Sequence, residues 1–430
     1  MKPALVIGGG IAGMQAALDI SNAGFRVILA ERSPSLGGHM IQFSKVFPTL
    51  DCPQCIGTPK MVEVASHPNI ELMTYSEVEE FSGCAGNFKV IIRKKARSVG
   101  EGKCTACGIC QQKCPWKVDS EFNCGISKRE AIYTPFPQAV PNIPVIDREH
   151  CAYFLKGTCR VCEKFCEAGA IDFEQKDELR EAEVGCAIVA TGFEPFEPRL
   201  KPELGYGIYD NVLTALELER LDQASGPTQG RIIIGGKEPK NVAFIQCVGS
   251  RDKSVGNEYC SRVCCMYSAK QAYYVKHKLP EAKVTVIYID IRAYGKGYEQ
   301  FYERVQKDGV IYRRGSVSEI YRRGDKLMVR AEDTLLGEFF EEDADLVVLA
   351  VGLIPSEGYQ RLAEILGISA GADDFFCEAH PKLGSVESGV KGIFMAGCCQ
   401  GPKDITDSVI QASAAAAAAC AILAREKAKV

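Results

Sequence analysis

Cysteine is the residue type in this chain that most clearly could carry out chemistry. The 430 residues include 21 cysteines, and the chain begins with a strand and a glycine-rich turn where a secretory signal would have its cleavage site. Thiols in a reducing compartment rarely form disulfides, so many cysteines there favour metal ligation. The spacing between the cysteines indicates which kind of metal centre to expect.

Two cysteine runs have the spacing of a bacterial ferredoxin, and a proline follows the last cysteine of the first run. In two-cluster ferredoxins the fourth cysteine of each run binds the other cluster. Zinc is the weaker alternative, because paired runs of this kind are typical of iron–sulfur sites. We therefore expect two [4Fe–4S] clusters, one on Cys104, Cys107, Cys110 and Cys166, and the other on Cys151, Cys159, Cys162 and Cys114.

The glycine pattern at the start of the chain predicts a dinucleotide site. Gly8, Gly10 and Gly13 lie between a strand at residues 4–9 and a helix that begins at residue 11. Such glycines allow a tight turn, close approach of the backbone to a pyrophosphate, and close helix packing. Glu31 ends the next strand, where an acid can bind a ribose hydroxyl. The alternative is a glycine turn without a ligand.

Later segments favour FAD over NAD as that dinucleotide. They are Gly37-Gly38 soon after Glu31, Thr191-Gly192 after a later strand, and Gly397 at the end of the segment GIFMAG. With the glycine turn, these segments resemble flavoproteins with two dinucleotide-binding domains, such as thioredoxin and glutathione reductases. In those proteins the last motif continues into an acid that contacts the flavin chain, and here Cys398 occupies that position.

A third group of cysteines lies where such a reductase would have its NAD(P)H glycine loop. Cys247 follows a buried strand, and Cys260, Cys264 and Cys265 lie at the start of a helix. The positive end of a helix dipole favours thiolate charge at that place. We expect a third [4Fe–4S] cluster on these four residues and no nicotinamide binding. The alternative is two metal ligands plus buried thiols.

The remaining cysteines carry weaker signals. Cys52 and Cys55, which have two residues between them, could be a redox pair, a partial metal site or cluster ligands shared with a partner chain. Cys398 and Cys399 lie near the expected flavin, and a direct redox role for them is the less favoured interpretation. The others are expected to be structural thiols: Cys84, Cys124, Cys186, Cys377 and Cys420. No catalytic residue is assigned.

The expected fold is an α/β flavoprotein with two dinucleotide-binding domains, similar to thioredoxin reductase, with an inserted two-cluster ferredoxin domain. A proline-rich connector lies between the two ferredoxin-type runs. The expected segments are 1–96 for the first part of the FAD-binding domain, 97–172 for the ferredoxin-like insert, 173–225 for the middle part of the FAD-binding domain, 226–345 for the second dinucleotide fold with a cluster in place of NAD(P)H, and 346–430 for the last part of the FAD-binding domain.

Composition excludes some classes of partner. The formal net charge is −4 and the charged fraction is 25%, which gives no reason to expect nucleic acid or an anionic membrane surface. The longest apolar stretch, residues 414–424, is expected to be too short to span a bilayer. We therefore expect a cytoplasmic protein, with membrane association only through partner subunits.

The motifs together resemble the A subunit family of heterodisulfide reductases. The segments that carry the resemblance cover almost the whole chain and include VIGGGIAGM, FPTLDCPQC, KCTACGICQQKCP, NVAFIQCVGSRD, YCSRVCCMYSAKQA and GCCQGPKDITDSV. The resemblance implies FAD and cubane clusters in a flavin-centred electron hub, and the Cys247 group matches the family's cluster motif. The chain resembles the short form of the family, similar to the A subunit of the quinone-interacting membrane-bound oxidoreductase complex.

The resemblance implies an electron-transfer subunit of a larger redox complex in anaerobic metabolism. The implied partners are heterodisulfide reductase B- and C-like subunits, or the B and membrane C subunits of the quinone-interacting complex, with ferredoxin as a further candidate. One alternative is a self-sufficient NAD(P)H-dependent flavin reductase, and another is a non-catalytic iron–sulfur carrier. The intact FAD pattern disfavours the carrier, and the loss of a second glycine loop disfavours the reductase. The terminal donor and acceptor stay open.

Overall fold

A computed structural model describes residues 2–428. The strands, in chain order, are β1 (Ala4–Ile7), β2 (Val27–Glu31), β3 (Ile70–Thr74), β4 (Ser76–Cys84), β5 (Asn87–Lys94), β6 (Lys117–Asp119), β7 (Lys128–Glu130), β8 (Ile132–Tyr133), β9 (Val145–Ile146), β10 (Glu178–Val184), β11 (Cys186–Val189), β12 (Phe193–Pro195), β13 (Val212–Thr214), β14 (Asn241–Val248), β15 (Lys283–Tyr288), β16 (Ile311–Arg323), β17 (Lys326–Asp333), β18 (Glu338–Ala344), β19 (Leu346–Val351), β20 (Leu353–Pro355), β21 (Glu378–His380), β22 (Gly384–Ser388) and β23 (Ile393–Met395). The α-helices are α1 (Ile11–Asn22), α2 (Pro53–Ser66), α3 (Ile109–Lys113), α4 (Ala152–Lys156), α5 (Val161–Lys164), α6 (Ala215–Asp222), α7 (Cys264–Lys278), α8 (Tyr298–Lys307), α9 (Tyr359–Leu366) and α10 (Ile405–Lys427).

The first domain is built on a seven-stranded sheet with the order β21-β22-β23-β11-β1-β2-β3. Strands β1, β2 and β11 are fully buried apolar runs that pair in parallel, as expected for a sheet covered on both faces. Helices α1 and α10 pack on one face. Strands β4 and β5 of a small antiparallel sheet pack on the other face with α9. The glycine turn between β1 and α1 follows the carboxyl end of β1, which is an inner strand of this sheet.

The second domain is built on another seven-stranded sheet, with the order β13-β19-β14-β15-β16-β17-β18. Its first five strands pair in parallel, and β17 and β18 continue antiparallel. Helices α6, α7 and α8 cover one face. The β14–α7–β15 unit is the second βαβ motif that the sequence predicts, and it carries the Cys247 group.

Two predicted domain boundaries need correction. Strand β13 falls in the segment 173–225 and β19 in the segment 346–430, both of which the sequence assigns to the FAD-binding domain. In the structure β19 lies between β13 and β14 in the second sheet. Both are short buried strands that pair with partners distant in the chain, so local sequence gives no sign of their sheet. The second domain therefore extends from β13 to β19.

The insert between β5 and β10 has its own small core. An antiparallel bridge between Val99 and Ile171 brings its two ends together. Its buried residues include Ile132 and Ile146, which lie on the paired strands β8 and β9. The insert therefore has a core of its own, but it also packs on the rest of the protein: Phe136 and Ala139 are buried in the core of the first domain, and the Leu36 N–H donates to the Val140 carbonyl oxygen.

Helix α10 is longer than its alanine-rich stretch suggests. By length and composition it could cross a membrane, whereas residues 414–424 alone are expected to be too short. Small residues on one side of α10 are buried in the core that it shares with α1: Ala412, Ala415, Ala416 and Ala419. One side of the helix is therefore packed in the first domain, and 33% of its most apolar window is buried inside the protein.

Candidate functional site

A cavity of about 1200 Å³ lies between the first and second domains. Its volume is larger than that of most ligand pockets, which usually measure about 300–1,000 Å³. A cavity of this size suits an extended dinucleotide. Most of the predicted cofactor residues line it: Gly8, Gly10, Glu31, Gly37, Gly38, Thr191, Gly192 and Gly397. The remaining one, Gly13, lies behind the cavity wall.

The three glycines of the first turn have three different roles. Gly8 has a φ of 109°, and a Cβ there would lie 2.3 Å from the Ala190 carbonyl oxygen. A Cβ on Gly13 would lie 1.8 Å from the Gly8 carbonyl oxygen, so Gly13 lets α1 pack onto the turn. A Cβ on Gly10 would meet no described atom within 4 Å, because Gly10 faces the cavity. Only the Gly10 position is left open for a ligand.

The start of α1 is suited to bind phosphate. Its N-cap is Gly10, and within the described chain neither a side-chain cap nor an acidic residue occupies the first turn. The first backbone N–H groups of a helix have no partner inside the helix, and the helix dipole adds partial positive charge. An anion in the cavity would meet these N–H groups directly.

Glu31 is buried and holds the turn in shape. One carboxylate oxygen accepts a hydrogen bond from the Gly9 N–H, and the other accepts from the Ser33 N–H at 2.7 Å. Each carboxylate oxygen has a second lone pair, so Glu31 can also accept from a ribose hydroxyl. The residue therefore combines a positioning role with the predicted binding role.

A buried hydroxyl group in the cavity wall also fits a bound ligand. The Thr191 Oγ1 atom is buried and has no hydrogen-bond partner among residues 2–428. A buried polar group left without a partner costs about 1–3 kcal/mol. A polar ligand beside Thr191 would remove that cost. Together with the open space at Gly10 and the bare start of α1, this observation fits a dinucleotide in the cavity.

The second domain forms the far wall, which sequence reasoning missed. Val263, Tyr267, Lys270 and Gln271 from the start of α7 line the cavity, with Glu219 from α6. The segment YCSRVCCMYSAKQA includes the α7 residues, but nothing in the sequence assigns them to a cofactor cavity, because the wall exists only when the two domains pack together. Helical spacing does place Tyr267, Lys270 and Gln271 on one side of α7, but that pattern alone indicates only core packing.

Lys270 and Glu219 form a buried ion pair in this wall. Their side chains are 3% and 4% exposed. The Lys270 Nζ also donates to the Lys45 carbonyl oxygen at 2.9 Å, and the Ser44 N–H donates to Glu219 at 2.9 Å. The pair is thus fully hydrogen-bonded, which offsets the cost of burying two charges.

His39 and Glu194 form a second pair at the cavity. The His39 Nε2 lies 3.0 Å from the Phe193 carbonyl oxygen and 3.6 Å from a Glu194 carboxylate oxygen. Burial opposes a charged imidazole, but the hydrogen bond and charge of Glu194 raise the pKa of His39 above its usual value. His39 follows Gly38 directly, so this pair places a hydrogen-bonding imidazole, balanced by the Glu194 carboxylate, at the predicted cofactor site.

Cys398 and Cys399 are buried beside the cavity. The Cys398 Sγ donates to the Lys403 carbonyl oxygen at 3.3 Å, and the Cys399 Sγ donates to the Val189 carbonyl oxygen at 3.1 Å. Burial raises the pKa of both thiols. Cys398 lines the cavity at the position of the acid in the related reductases, but a neutral thiol cannot replace the hydrogen-bonding capacity of a carboxylate.

The two ferredoxin-type runs lie close together in the insert. The Cys110 thiol lies near Cys104, Cys107 and, from the other run, Cys166. Burial, followed by these neighbouring thiols, raises the pKa of Cys110 to about 11. The Cys166 Sγ accepts a hydrogen bond from the Ala170 N–H at 3.2 Å, the kind of bond that stabilises cluster thiolates.

The second set of four thiols is crossed in the same way. A small cavity in the insert is lined by Cys114, Cys151, Cys159 and Cys162. Burial and then the neighbouring Cys151 raise the pKa of Cys162 to about 12, and Cys114 also acts on it. Cys114 comes from the first run, so each predicted set draws three thiols from one run and one from the other.

The Cys247 group gathers at the start of α7. Cys264 is buried there, and Cys247, Cys260 and Cys265 surround it. Burial is the main cause of the strongly raised pKa of Cys264, and these thiols add to it. Tyr267, one turn further along α7, lines the cavity and interacts with the Cys264 thiol. The thiol group and the cavity therefore share a wall.

The donor chemistry of the thiol groups fits iron–sulfur clusters. Within residues 2–428 no three His, Cys, Asp or Glu side chains form a group that would hold a single metal ion. A cubane is held by four cysteine thiolates, each bound to a different iron, and each of the three groups offers four cysteines. The soft thiolate donors suit iron in such a cluster.

Cys52 and Cys55 lie together at the rim of the cavity. Cys52 is the N-cap of α2, and its Sγ accepts a hydrogen bond from the Cys55 N–H at 3.3 Å. Burial opposes the change, but hydrogen bonds from Cys55 lower the pKa of Cys52. Cys55 is exposed, and the adjacent Ile56 lines the cavity. This geometry is compatible with each of the roles expected for the pair.

Solved structures support the expected fold. The thioredoxin reductase from T. acidophilum aligns with a TM-score of 0.54 at 14% identity, over 98% of each chain. The enzyme from Lactococcus lactis aligns with a TM-score of 0.55 at 15% identity, over 99% of this chain and all of that one. Identities this low establish the shared fold and nothing more.

Curated relatives are much more similar in sequence. The chain is 52% identical over 420 residues to the A subunit of the "H(2):CoB-CoM heterodisulfide,ferredoxin reductase" of Methanothermobacter thermautotrophicus, and it covers 63% of that protein. It is 53% identical over 426 residues to one of the iron–sulfur A subunits of the "CoB--CoM heterodisulfide reductase" of Methanopyrus kandleri, and it covers 64% of that protein. The alignments take in 97% and 98% of this chain.

The resemblance predicted from the motifs is confirmed by these relatives. The model of the family described as "Pyridine nucleotide-disulphide oxidoreductase" matches residues 2–419, which includes both domains and the insert. The chain spans just under two thirds of the length of the curated relatives that it matches. The chain belongs to the pyridine nucleotide-disulphide oxidoreductase family, and over nearly all of its length it is similar to the A subunits of CoB-CoM heterodisulfide reductases.

Proposed function

We propose that this chain is an FAD- and iron–sulfur-containing electron-transfer subunit of a redox complex of the heterodisulfide reductase type. FAD occupies the cavity between the domains, with its pyrophosphate at Gly10 and the start of α1. Three [4Fe–4S] clusters lie on the three cysteine groups, two in the ferredoxin-like insert and one on the Cys247 group. A flavin exchanges electrons singly or in pairs, and the clusters carry single electrons.

The observation that carries this proposal is the wall shared by the cavity and the Cys247 group. Tyr267 contacts both sides, and Val263 packs with Cys398 and Leu353 between them. The chain's own residues therefore hold the two sites a few side chains apart and keep water out of the space between them. An electron route between a flavin and a cluster needs this short, packed separation.

Several residues have defined tasks in this proposal. Gly10 and the first N–H groups of α1 bind the pyrophosphate, and Glu31 accepts from the ribose. Lys270 and Glu219 keep a fixed polar environment on the α7 side of the cavity. Their charges would influence the electronic properties of the flavin bound in that cavity. Thr191 offers its free hydroxyl from the first domain.

A self-sufficient NAD(P)H reductase is the competing function, and the start of α7 argues against it. A nicotinamide cofactor needs a glycine turn and open space above a helix N-terminus. Here Cys247, near the end of β14, has a φ of 61°, and Cys264 and Cys265 form the first turn of α7. The position at which a reductase binds its second dinucleotide is filled by thiols.

The partners are proposed from the relatives. Their printed names include a heterodisulfide and ferredoxin reductase and a "Ferredoxin/F(420)H(2)-dependent CoB-CoM heterodisulfide reductase". We propose that this chain works with other redox subunits, either heterodisulfide reductase B- and C-like or those of a quinone-interacting complex, with ferredoxin as a donor or acceptor. We propose that the protein is cytoplasmic and that any membrane contact is made by its partner subunits.

Anaerobic purification followed by spectroscopy tests the proposal. Flavin released by acid should be FAD, and the reduced protein should give electron paramagnetic resonance signals of [4Fe–4S] clusters. Protein that binds FAD and is bleached rapidly by NADH or NADPH alone would support the competing reductase. Protein with clusters and no flavin would support the carrier alternative.

A further inference from the structure

We propose that one face of the insert is the docking site of a small acidic electron-carrier protein. The face consists of Lys113, Trp116, Leu155, Lys156 and Phe165, and is called the Trp116 face below. The inference deepens the proposed function by naming the surface and the chemistry of one partner. It rests on that function because electrons can leave the insert only if the insert holds clusters.

Three large apolar side chains on this face are exposed to solvent. Trp116 is 41% exposed, Leu155 59% and Phe165 47%. Exposed apolar groups gathered in a single small unit mark interaction sites more often than single scattered ones do. Tryptophan in particular is enriched among residues that dominate binding energy. The apolar part of the Trp116 face therefore has the composition of an interface core.

Lysines are placed against two of these aromatic rings. The Lys113 Nζ lies 5.3 Å from the centre of the Phe165 ring, and the Lys156 Nζ lies 6.0 Å from the centre of the Trp116 ring. Lys113 and Trp116 are three residues apart in one chain segment, which joins the two pairs into one surface. The rings of Phe165 and Trp116 thus each have a lysine ammonium group next to them.

The charge of the Trp116 face is not neutralised by the protein itself. Lys117 pairs with Glu130 and Arg160 with Glu163. By contrast, no ion pair within residues 2–428 involves Lys103, Lys113, Lys156 or Lys164, all of which are exposed residues of the insert. Free lysines beside an apolar centre favour a partner with a carboxylate-rich surface, because complementary charge speeds encounter.

The Trp116 face also leads directly to a cluster site. Trp116 lines the same small cavity as Cys114, Cys151, Cys159 and Cys162. The Cys114 Sγ donates a weak hydrogen bond to the Trp116 carbonyl oxygen at 3.8 Å. A protein bound over Trp116 would therefore be separated from these thiols by a single side chain. Such a position suits one-electron exchange, in which the carrier is oxidised as the cluster is reduced.

Charge reversal tests the inference on the full chain with its cofactors. The probe is an acidic two-cluster ferredoxin, reduced beforehand and mixed anaerobically at low and moderate salt. The double variant Lys113→Glu/Lys156→Glu should lower the second-order rate of electron transfer at low salt by about tenfold or more and flatten its salt dependence. Leu155→Ser should weaken binding of the same probe in calorimetry.

A matched control keeps the number of charges changed but moves them to another surface. Lys382 and Lys391 are exposed, lie in the first domain and are without ion pairs in the described chain. Lys382→Glu/Lys391→Glu should therefore leave the rate within about twofold of the unaltered protein. Iron and flavin contents measured for each variant establish that the cofactors are retained.

Reduction by dithionite separates this inference from the proposed function. Bleaching of the flavin by dithionite in every variant, with the ferredoxin rate unchanged in Lys113→Glu/Lys156→Glu, would overturn the docking site alone. Absence of iron and flavin would overturn the proposed function. A concentration-dependent dimer that dissociates in Leu155→Ser, with no binding of the probe, would show that a second copy of the chain covers this face and would also overturn the inference.

Discussion

Gly10 and Gly13 belong to one sequence motif, but they have different roles in the structure. Gly10 faces open space in the cavity, whereas the space beyond Gly13 is filled by the backbone of Gly8. A side chain at Gly13 would disturb the packing of α1, so loss of flavin in such a variant would be ambiguous. Gly10 is therefore the position at which binding can be altered with the least change in folding.

Gly10→Val should release FAD while the chain stays folded. The branched side chain would fill the space through which a pyrophosphate approaches the start of α1. We expect flavin content to fall by at least about tenfold, with the clusters of the insert retained because their ligands lie elsewhere. Absorbance after gel filtration and acid-released flavin measure this change.

Gly389→Val is the matched control for that substitution. Gly389 also has open space around the position of a Cβ, but it is exposed and outside the cavity lining. Full flavin content is expected in this variant. Equal flavin in the Gly10 and Gly389 variants would place the flavin somewhere other than the cavity.

Cys264→Ser should remove the cluster from the second domain. Serine is a poor ligand for iron compared with a thiolate, and Cys264 lies at the centre of its group. Iron should fall by about four atoms per chain, which is one cubane, while flavin is kept. Cys186→Ser is the control, because Cys186 is a buried thiol of β11 outside the three groups, and iron should not change. Iron loss of similar size in both variants would mean general damage to the protein.

At the scale of elements, α6 and α7 are joined by the Lys270–Glu219 pair. Lys270→Met should destabilise the protein by about 3–5 kcal/mol, since it leaves the buried Glu219 charge without its partner. Lys307→Met should change stability by less than about 0.5 kcal/mol, because the Lys307–Glu303 pair is exposed. Denaturant unfolding of the protein with its cofactors measures both.

A double substitution shows whether the stability loss of Lys270→Met comes from breaking the Lys270–Glu219 ion pair. Lys270→Met/Glu219→Leu removes both charges, and it should recover a large part of the stability lost in Lys270→Met. If the double variant is less stable than the single one, the loss arises from packing in the cavity wall and not from the unpaired carboxylate.

Periodicity and glycine placement are sufficient to predict the elements that carry motifs. The strand before Gly8 and the strand and helix that carry the Cys247 group lie where the sequence predicts them. For strands β13 and β19 the sequence indicates the wrong sheet, because strand pairing across long stretches of chain leaves no local pattern. The far wall of the cavity escapes prediction for a related reason, since Tyr267 and Lys270 reach it only through domain packing.

The thiol groupings are more predictable than the cavity. Each run of cysteines has a spacing imposed by the geometry of its cluster, so the sequence retains that geometry directly. In the structure Cys166 lies near Cys110, Cys114 lies near Cys162, and the other thiols of the Cys247 group surround Cys264, while the assignment of each cluster to its four ligands stays a prediction. The roles of Cys52 and Cys55 cannot be inferred in this way, because two residues are compatible with several chemistries.

At the scale of the whole molecule, the two domains enclose one cavity and leave no open second dinucleotide site at α7 in the described chain. The chain alone should therefore not be reduced by NADH or NADPH, because Cys264 and Cys265 fill the place where a pyrophosphate would lie, and the thiolates of a cluster bound there would repel it. Dithionite or a reduced ferredoxin should reduce the same sample. Anaerobic mixing with each donor, followed by flavin absorbance, makes the comparison, and rapid bleaching by either nicotinamide cofactor would restore the reductase interpretation.

The central claim is that one chain holds a flavin and three clusters, and a cofactor count on a single anaerobic sample tests it most directly. Protein concentration, acid-released FAD, iron and zinc are measured together, with Mössbauer spectroscopy to identify the cluster type. The account predicts about one FAD and about twelve irons per chain, all in [4Fe–4S] clusters. About eight irons with full flavin would remove the cluster at Cys247, and zinc in place of iron, or iron without FAD, would contradict the account as a whole.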